Sequence, residues 1–411
     1  MHAEIVCIGT EITQGEIVNS NASYLSKKLA QLGIDVCYHT TVDDDSVRLY
    51  TALKRAMHRS DIVITTGGLG PTVDDITLGI IGQATQKKMI LNPQILRNIK
   101  DHFHQRHIAM PKDNVRMALV PEGARPLKNE VGTAPGLIMP NESKVLVALP
   151  GVPAEMRAMM ERDVIAYLAK HFPAQKAIVS RTIRTTGLAE SQVNQRVKDI
   201  LKLEPPTTVG IYVHTHCVDL TITARAKSKL QAKKLIAAVE KKIRSRLKAY
   251  IYGQDQQTLE QTVAQALIKK KKTIAVAESC TGGLISKRLT SIGGSSRYFP
   301  LGLVAYSNQT KKSLLGLSEQ TLKDHGAVSP QVAQALAQNV QQLAKADLGL
   351  GVTGIAGPSG GTKEKPVGLV YIALATPRKI QCQEFLFHGD RSAVRLRASQ
   401  AALDMLRQYL T

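Results

Sequence analysis

Tryptophan is absent from the 411 residues, and the remaining aromatics amount to 11 Tyr and 5 Phe. Surfaces that grip nucleic acid by stacking bases on rings are therefore scarce. Cysteine is sparse as well. Cys7, Cys37, Cys217, Cys280 and Cys382 are scattered, odd in number and without a Cys-x-x-Cys pair. That argues against a zinc ribbon or a disulfide framework and fits a reducing compartment. No apolar run reaches the roughly 18 residues of a membrane span. Met1-His2-Ala3-Glu4-Ile5-Val6 enters a strand-like segment directly, without the organisation of a signal peptide. A cytoplasmic protein with no membrane partner is expected. Acidic residues are also short, with 33 Asp and Glu against 54 Lys and Arg and a net charge of +21.

The excess charge is concentrated in Arg225–Lys248 and Lys269–Lys272. A nucleic-acid face and a solvated helix surface both fit such runs. The solvated surface is favoured, because no aromatics interleave with the charges and no nucleic-acid signature is present.

What the chain does have is an ordinary apolar content of 43% and a length that points to two or three domains. Alternating apolar runs and amphipathic stretches predict α/β architecture in the first segment, residues 1–168. Strands are expected over Ala3–Ile8, Asp35–Thr41 and Asp61–Thr66, with helices over Ser23–Leu32 and Val47–Arg59. The glycine-rich turn Thr66-Gly67-Gly68-Leu69-Gly70-Pro71-Thr72 follows. Its backbone N–H groups are suited to a phosphate. The nearby carboxylates Asp74 and Asp75, with Glu11 of Gly9-Thr10-Glu11, suit magnesium or a similar divalent cation. Gly67, Gly68, Gly70 and Thr72 are the expected ligand-binding positions. The alternative is a structural turn with an acidic helix start.

Residues 169–252 read as βαββα, a small α+β module. Its long helix, Lys227–Leu247, is expected to bury Leu230, Ile236, Val239 and Ile243. Tyr250–Gln257 reads as a linker.

The last segment, residues 253–411, is organised around Ala277-Glu278-Ser279-Cys280-Thr281-Gly282-Gly283. A buried-strand composition precedes this stretch and a helix start follows it. Ser279 can therefore be presented beside helix N–H groups that stabilise negative charge. Ser279 can equally be a helix cap. No Gly-x-Ser-x-Gly elbow surrounds it. A second glycine loop, Thr353-Gly354-Ile355-Ala356-Gly357-Pro358, also follows a strand. It fits either a tight turn or a substrate cradle.

These pieces together resemble the CinA family, named for competence and damage induction. In the first segment the matching residues are Gly9-Thr10-Glu11, Val18-Asn19-Ser20-Asn21-Ala22, Thr66–Thr72 with Asp74-Asp75, Val131-Gly132-Thr133-Ala134-Pro135-Gly136 and Leu149-Pro150-Gly151-Val152-Pro153. This part is similar to a molybdopterin-binding-like domain. The resemblance implies metal-dependent ADP-ribose pyrophosphatase activity, although Met117-Ala118 stands where the family usually has Gln-Ala. The middle module resembles KH folds but lacks their Gly-x-x-Gly loop. It reads as a spacer or an oligomerisation module.

The last segment resembles the nicotinamide-nucleotide amidases through Ala277–Gly283, Tyr306-Ser307-Asn308 with Lys311, His325-Gly326-Ala327-Val328-Ser329, Gly354–Pro358 and Lys365-Pro366-Val367-Gly368. Leu301-Gly302 replaces the usual Gly-Gly. The resemblance implies hydrolysis of nicotinamide mononucleotide to nicotinate mononucleotide and ammonia, without a metal. It implies Ser279 as nucleophile and Lys311 as base, with Tyr306 and Thr353 assisting. Thr281, Gly282, Gly283, Asn308, Gly354, Gly357, Arg391 and Arg395 are the expected substrate-binding positions. Cys280 is the rival nucleophile, since a thiolate is intrinsically stronger. Nicotinamide mononucleotide, ADP-ribose and a second copy of the chain are the expected partners. The competing function is a nucleic-acid-associated or scaffold protein of competence or repair.

Overall fold

A computed structural model of the chain describes residues 1–173 and 177–411. The chain divides into two compact units. Met1–Val179 with Arg225–Lys233 forms the first, and Ser180–Ala224 with Lys234–Thr411 forms the second. The architecture is α/β, as the alternation of elements predicts.

The first unit is built on β1 (His2–Ile8), β2 (Asp35–Val42) and β3 (Ile62–Thr66). Two short strands, β4 (Met89–Leu91) and β5 (Leu119–Pro121), pair with each other. Then come β6 (Arg125–Leu127), β7 (Gly136–Asn141) and β8 (Lys144–Leu149). The main sheet has the order β2-β1-β3-β8-β7-β6. It is parallel from β2 to β8 and antiparallel from β8 to β6.

Alternate residues of β1 enter different cores. Val6 and Ile8 pack on one face, Ala3, Ile5 and Cys7 on the other. A sheet covered on both faces needs a continuous apolar run, which is why β1 does not alternate with polar residues. Glu4 is the exception and is fully buried. Burial alone would raise its pKa, but Arg59 in a two-pronged pair, with both bonds at 2.8 Å, and Thr40 Oγ1 at 2.7 Å hold it below the usual carboxylate value.

The middle sheet has the order β10-β11-β9-β12, from β9 (Ala177–Thr185), β10 (Thr207–Val213), β11 (Val218–Ala226) and β12 (Ile251–Gln254). Two expectations change here. The segment read as a linker contains β12, paired antiparallel with β9. Its Ile-Tyr start has the composition of a strand, which the flanking glutamines mask. In the helix Lys229–Leu247, Ile236, Val239 and Ile243 are buried as expected. Leu230 is 68% exposed, because it stands in the first turn, ahead of the stretch that packs.

The C-terminal sheet has the order β14-β13-β15-β16-β17. Its strands are β13 (Ile274–Glu278), β14 (Leu301–Val304), β15 (Leu348–Gly354), β16 (Leu369–Ala375) and β17 (Ile380–Leu386). β14, β13 and β15 run parallel, and β16 and β17 add on antiparallel. β13 feeds one core through Ile274 and Val276 and the other through Ala275 and Ala277. Parallel connections bring the carboxyl ends of β13, β14 and β15 to one edge, the usual place for a site in an open α/β sheet. No helix among the described residues is long and apolar enough to cross a membrane.

Candidate active site

Ser279 immediately follows β13, and its N–H donates to the Val352 carbonyl of β15 at 3.0 Å. It does not cap the next helix. That helix, Leu284–Thr290, is capped by Gly283, whose φ of +89° lies in the left-handed region. A side chain would be strained there. The sequence suggested that the amides at this helix start could receive an oxyanion, but they are not free to do so. Buried Glu278 takes them: its carboxylate accepts from the N–H groups of Gly283 at 3.0 Å, Ile285 at 3.1 Å and Ser286 at 2.8 Å, and from Ser286 Oγ at 2.7 Å. An acid closing an otherwise apolar strand was the sequence signal for this role. The bonds fix the turn that presents Ser279.

Lys311 lies one turn into the helix Asn308–Leu315. Ser307 caps that helix by accepting the Thr310 N–H at 3.0 Å. The Lys311 side chain is only 2% exposed, contrary to the solvated position usual for a lysine near a helix start. Its Nζ is 3.2 Å from Ser279 Oγ and 3.4 Å from the Tyr306 carbonyl oxygen. Among the described residues no carboxylate pairs with it. Burial pushes its pKa down from the ordinary lysine value, only partly opposed by Cys280. A neutral amine beside a hydroxyl is the arrangement a Ser-Lys pair needs. Cys280 is buried, and burial pushes its thiol up to about 12. A thiol that holds its proton this firmly is a poor nucleophile at neutral pH.

Ser279, Cys280 and Lys311 open into a cleft of ≈ 270 Å³, together with Tyr306, Asn308, Thr353, Gly354, Gly357 and Arg391. Arg391 donates to the Gly357 carbonyl at 2.7 Å and to Tyr306 Oη at 2.5 Å, joining two walls. Thr353 Oγ1 donates to the Ala327 carbonyl at 2.7 Å, so its hydroxyl secures the opposite loop. The remaining expected positions stand beside the cleft. Arg395 grips the Thr281 carbonyl through Nε at 3.1 Å and Nη2 at 2.9 Å, and a Cβ on Gly282 would come within 3.2 Å of that guanidinium. Thr281, Gly282, Gly283 and Arg395 thus shape the Ser279 turn from behind. Ala327, Val328, Ser359 and Gly360 also line the cleft. The sequence reading did not single them out as binding positions, because small loop residues carry little signal.

The first unit holds a cleft of ≈ 330 Å³ that includes Gly68, Gly70, Asp75, Arg116 and Met117. Gly67 is set back from it. A Cβ there would meet the Ile8 carbonyl oxygen at 2.1 Å, so this glycine serves the close approach of the loop to β1. Asp75 Oδ2 accepts from Thr72 N–H at 2.8 Å and Thr72 Oγ1 at 2.6 Å. Asp74 and Thr72 are exposed, and Glu11 folds back over Gly9. Glu11, Asp74 and Asp75 do not converge. Among the described residues, the one convergent group of three metal-ligating side chains is His214, Cys217 and Asp219. Arg116 was missed by the sequence reading. It donates to the Thr72 carbonyl at 2.8 Å and puts a cation on the cleft wall.

Comparisons with known proteins cover all of these segments. A model of the CinA C-terminal domain matches residues 256–410. One described as "Probable molybdopterin binding domain" matches 4–170, and one described as "Damage-inducible protein CinA KH domain" matches 180–253. A relative from Caldicellulosiruptor bescii, named for competence-damage induction, is 46% identical over 410 residues, covering 100% of this chain and 99% of that one. A "CinA-like protein" of Dictyoglomus turgidum is 44% identical over 410 residues, with 100% and 99% covered. Among solved structures, "the protein CinA with unknown function" from Thermoplasma acidophilum is 34% identical. It covers 41% of this chain and 96% of its own, with a TM-score of 0.38.

Proposed function

From the CinA family, to which this chain belongs along its whole length, we propose that the Ser279 cleft hydrolyses the carboxamide of nicotinamide mononucleotide. The products are nicotinate mononucleotide and ammonia. The observation that carries this reading is the buried, carboxylate-free Lys311 amine 3.2 Å from Ser279 Oγ.

Neutral Lys311 takes the Ser279 proton as Oγ attacks the carboxamide carbon. The tetrahedral intermediate collapses, and the ammonium of Lys311 returns the proton to the leaving nitrogen, releasing ammonia. Water then attacks the acyl-Ser279 ester, again giving its proton to Lys311, and Ser279 is regenerated. Arg391, at the cleft wall, supplies a fixed cation for the ligand's phosphate. No metal enters these steps. On this reading the enzyme works in the cytoplasm, as a homodimer, in pyridine-nucleotide salvage.

An ammonia-release assay on nicotinamide mononucleotide with the purified chain tests the proposal. One ammonia per nicotinate mononucleotide is expected. A folded chain that releases none at saturating substrate would remove the reading.

For the cleft of the first unit we propose ADP-ribose as ligand. Arg116 and the Gly68–Gly70 loop support that reading by offering a cation and close backbone approach to a diphosphate. The three carboxylates expected to hold a divalent cation do not form a ready cage. Asp75 alone lines this cleft.

A further inference from the structure

The turn between β10 and β11 carries His214, Thr215, His216 and Cys217, and is closed by the His214 N–H donating to the Cys217 carbonyl at 2.9 Å. This closure sets His214 and Cys217 opposite one another. Cys217 ends the turn just ahead of β11, and Asp219 is the second residue of that strand. The ligating atoms of His214, Cys217 and Asp219 consequently all lie within 4.8 Å of one another. Cys217 and Asp219 are buried, while the His214 ring is 46% exposed.

The bonding of Asp219 is lopsided. Its Oδ2 is engaged by the Arg184 guanidinium and, at 2.9 Å, by His214 Nε2. Its Oδ1 is buried and has no protein partner. The side chain is 2% exposed, so a bare carboxylate oxygen is costly there. The neighbouring His216 has a buried Nδ1 that also lacks a partner. His214, His216 and Cys217 line a cavity of ≈ 270 Å³ at this spot. An unmatched carboxylate oxygen beside a thiol calls for a cation, not an anion. The donor set, one imidazole, one sulfur and one carboxylate oxygen, suits a borderline-soft ion that accepts four ligands.

We infer that His214, Cys217 and Asp219 form a binding site for a divalent transition metal of the zinc class, with its fourth position facing the cavity. Asp219 would offer Oδ1 to the metal and keep Oδ2 on Arg184, which then orients it from outside the coordination sphere. Cys217 binds as thiolate, its proton passing to solvent. His214 exchanges its bond to Oδ2 for the metal. Ligand atoms of a tetrahedral zinc site lie roughly 3.2–3.8 Å apart, so the metal would draw the three groups together, the exposed His214 ring by rotation. The site is independent of Ser279 and Lys311. It gives the small middle module a chemical role beyond that of a spacer.

Cobalt(II) titration of the full-length chain, stripped beforehand with a chelator, is the test. One Co²⁺ per chain is expected, with the visible bands of a four-coordinate ion and a near-ultraviolet thiolate-to-cobalt band, all abolished by adding Zn²⁺. Cys217→Ser should remove the thiolate band. His214→Ala, at an exposed ring, should weaken binding by roughly 100-fold or more with an unchanged circular dichroism spectrum. If Cys217→Ser fails to fold, His214→Ala still decides. Absence of binding, a thiolate band that persists in Cys217→Ser, or affinity unaltered in His214→Ala would overturn the site.

Discussion

Lys311 Nζ stands 3.2 Å from Ser279 Oγ, although the two residues are 32 positions apart in the chain. β13 delivers the hydroxyl, the helix after β14 delivers the amine, and the parallel pairing of β13 with β14 brings the two deliveries to one edge. If the two groups work as a unit, their losses are not additive. Ser279→Ala and Lys311→Met should each lower ammonia release by roughly 10³-fold or more, with the double variant little worse than either. Lys311→Arg should be as poor as Lys311→Met, because it keeps charge without an accessible neutral form. Cys280→Ala should retain most activity. Steady-state rates for the four single variants and the double variant decide. An acyl adduct found on Cys280 after rapid quenching would refute the assignment.

The lowered pKa of Lys311 also sets the pH response. Activity should rise with pH as the ammonium is lost, and the rise should be centred below the ordinary lysine value of 10.5. Stability should respond in the same direction. Where the unfolded chain holds the proton and the folded chain does not, raising the pH favours the folded state. This contribution is fully present above about 10.5 and is lost as pH falls through the folded pKa. Lys311→Met lacks the penalty and should be more stable at neutral pH, with the advantage shrinking towards pH 10.5. Urea unfolding of both proteins at several pH values measures it. Parallel curves would show that Lys311 carries no buried-charge cost.

Glu278 positions Ser279 without facing the substrate. Glu278→Gln puts an amide donor where N–H groups already donate, so part of the turn must open. A drop in kcat of roughly 10–100-fold is expected, with KM changed far less. Glu278→Asp, which keeps both acceptor oxygens, should recover part of the loss. Equal effects on kcat and KM, or no rescue, would show a role other than orientation.

In the first unit, Asp75→Ala frees Thr72 and removes the one carboxylate of the expected trio that lines the cleft. Binding of ADP-ribose, followed by calorimetry, should weaken because the loop at Thr72 loses its anchor, while ammonia release stays at the wild-type level. Unchanged affinity would exclude Asp75 from shaping that cleft. Simultaneous loss of ammonia release would show that the substitution damages more than one cleft.

Much of this was legible because local pattern and tertiary role agree. The apolar runs of β1 and β13 are strands buried on both faces, and the capping serines Ser307 and Ser329 mark their helices as sequence rules anticipate. Site residues were legible where the chemistry is borne by distinctive side chains, as with Ser279 and Lys311. Contacts between distant segments were not. Nothing local shows that Arg395 braces Thr281, that Thr353 is tied to Ala327, or that Glu278 occupies the amides nominally open to an oxyanion. The metal set foreseen from Glu11, Asp74 and Asp75 failed to assemble for the same reason. Adjacent carboxylates need not share a direction, and Asp74 is exposed while Asp75 turns back to Thr72.

The pairing of β12 with β9 bears on how chains of this kind can be cut and rejoined. A stretch composed like a tether is stitched along one edge of a sheet, so it offers no slack. Inserted residues would shift the register of Ile251–Gln254 against Ile183–Thr185. A protease would find this seam shielded, and a recombination junction placed there would unravel an edge strand. Exchange of the C-terminal segment between proteins is therefore cheaper when β9 to β12 travel with it.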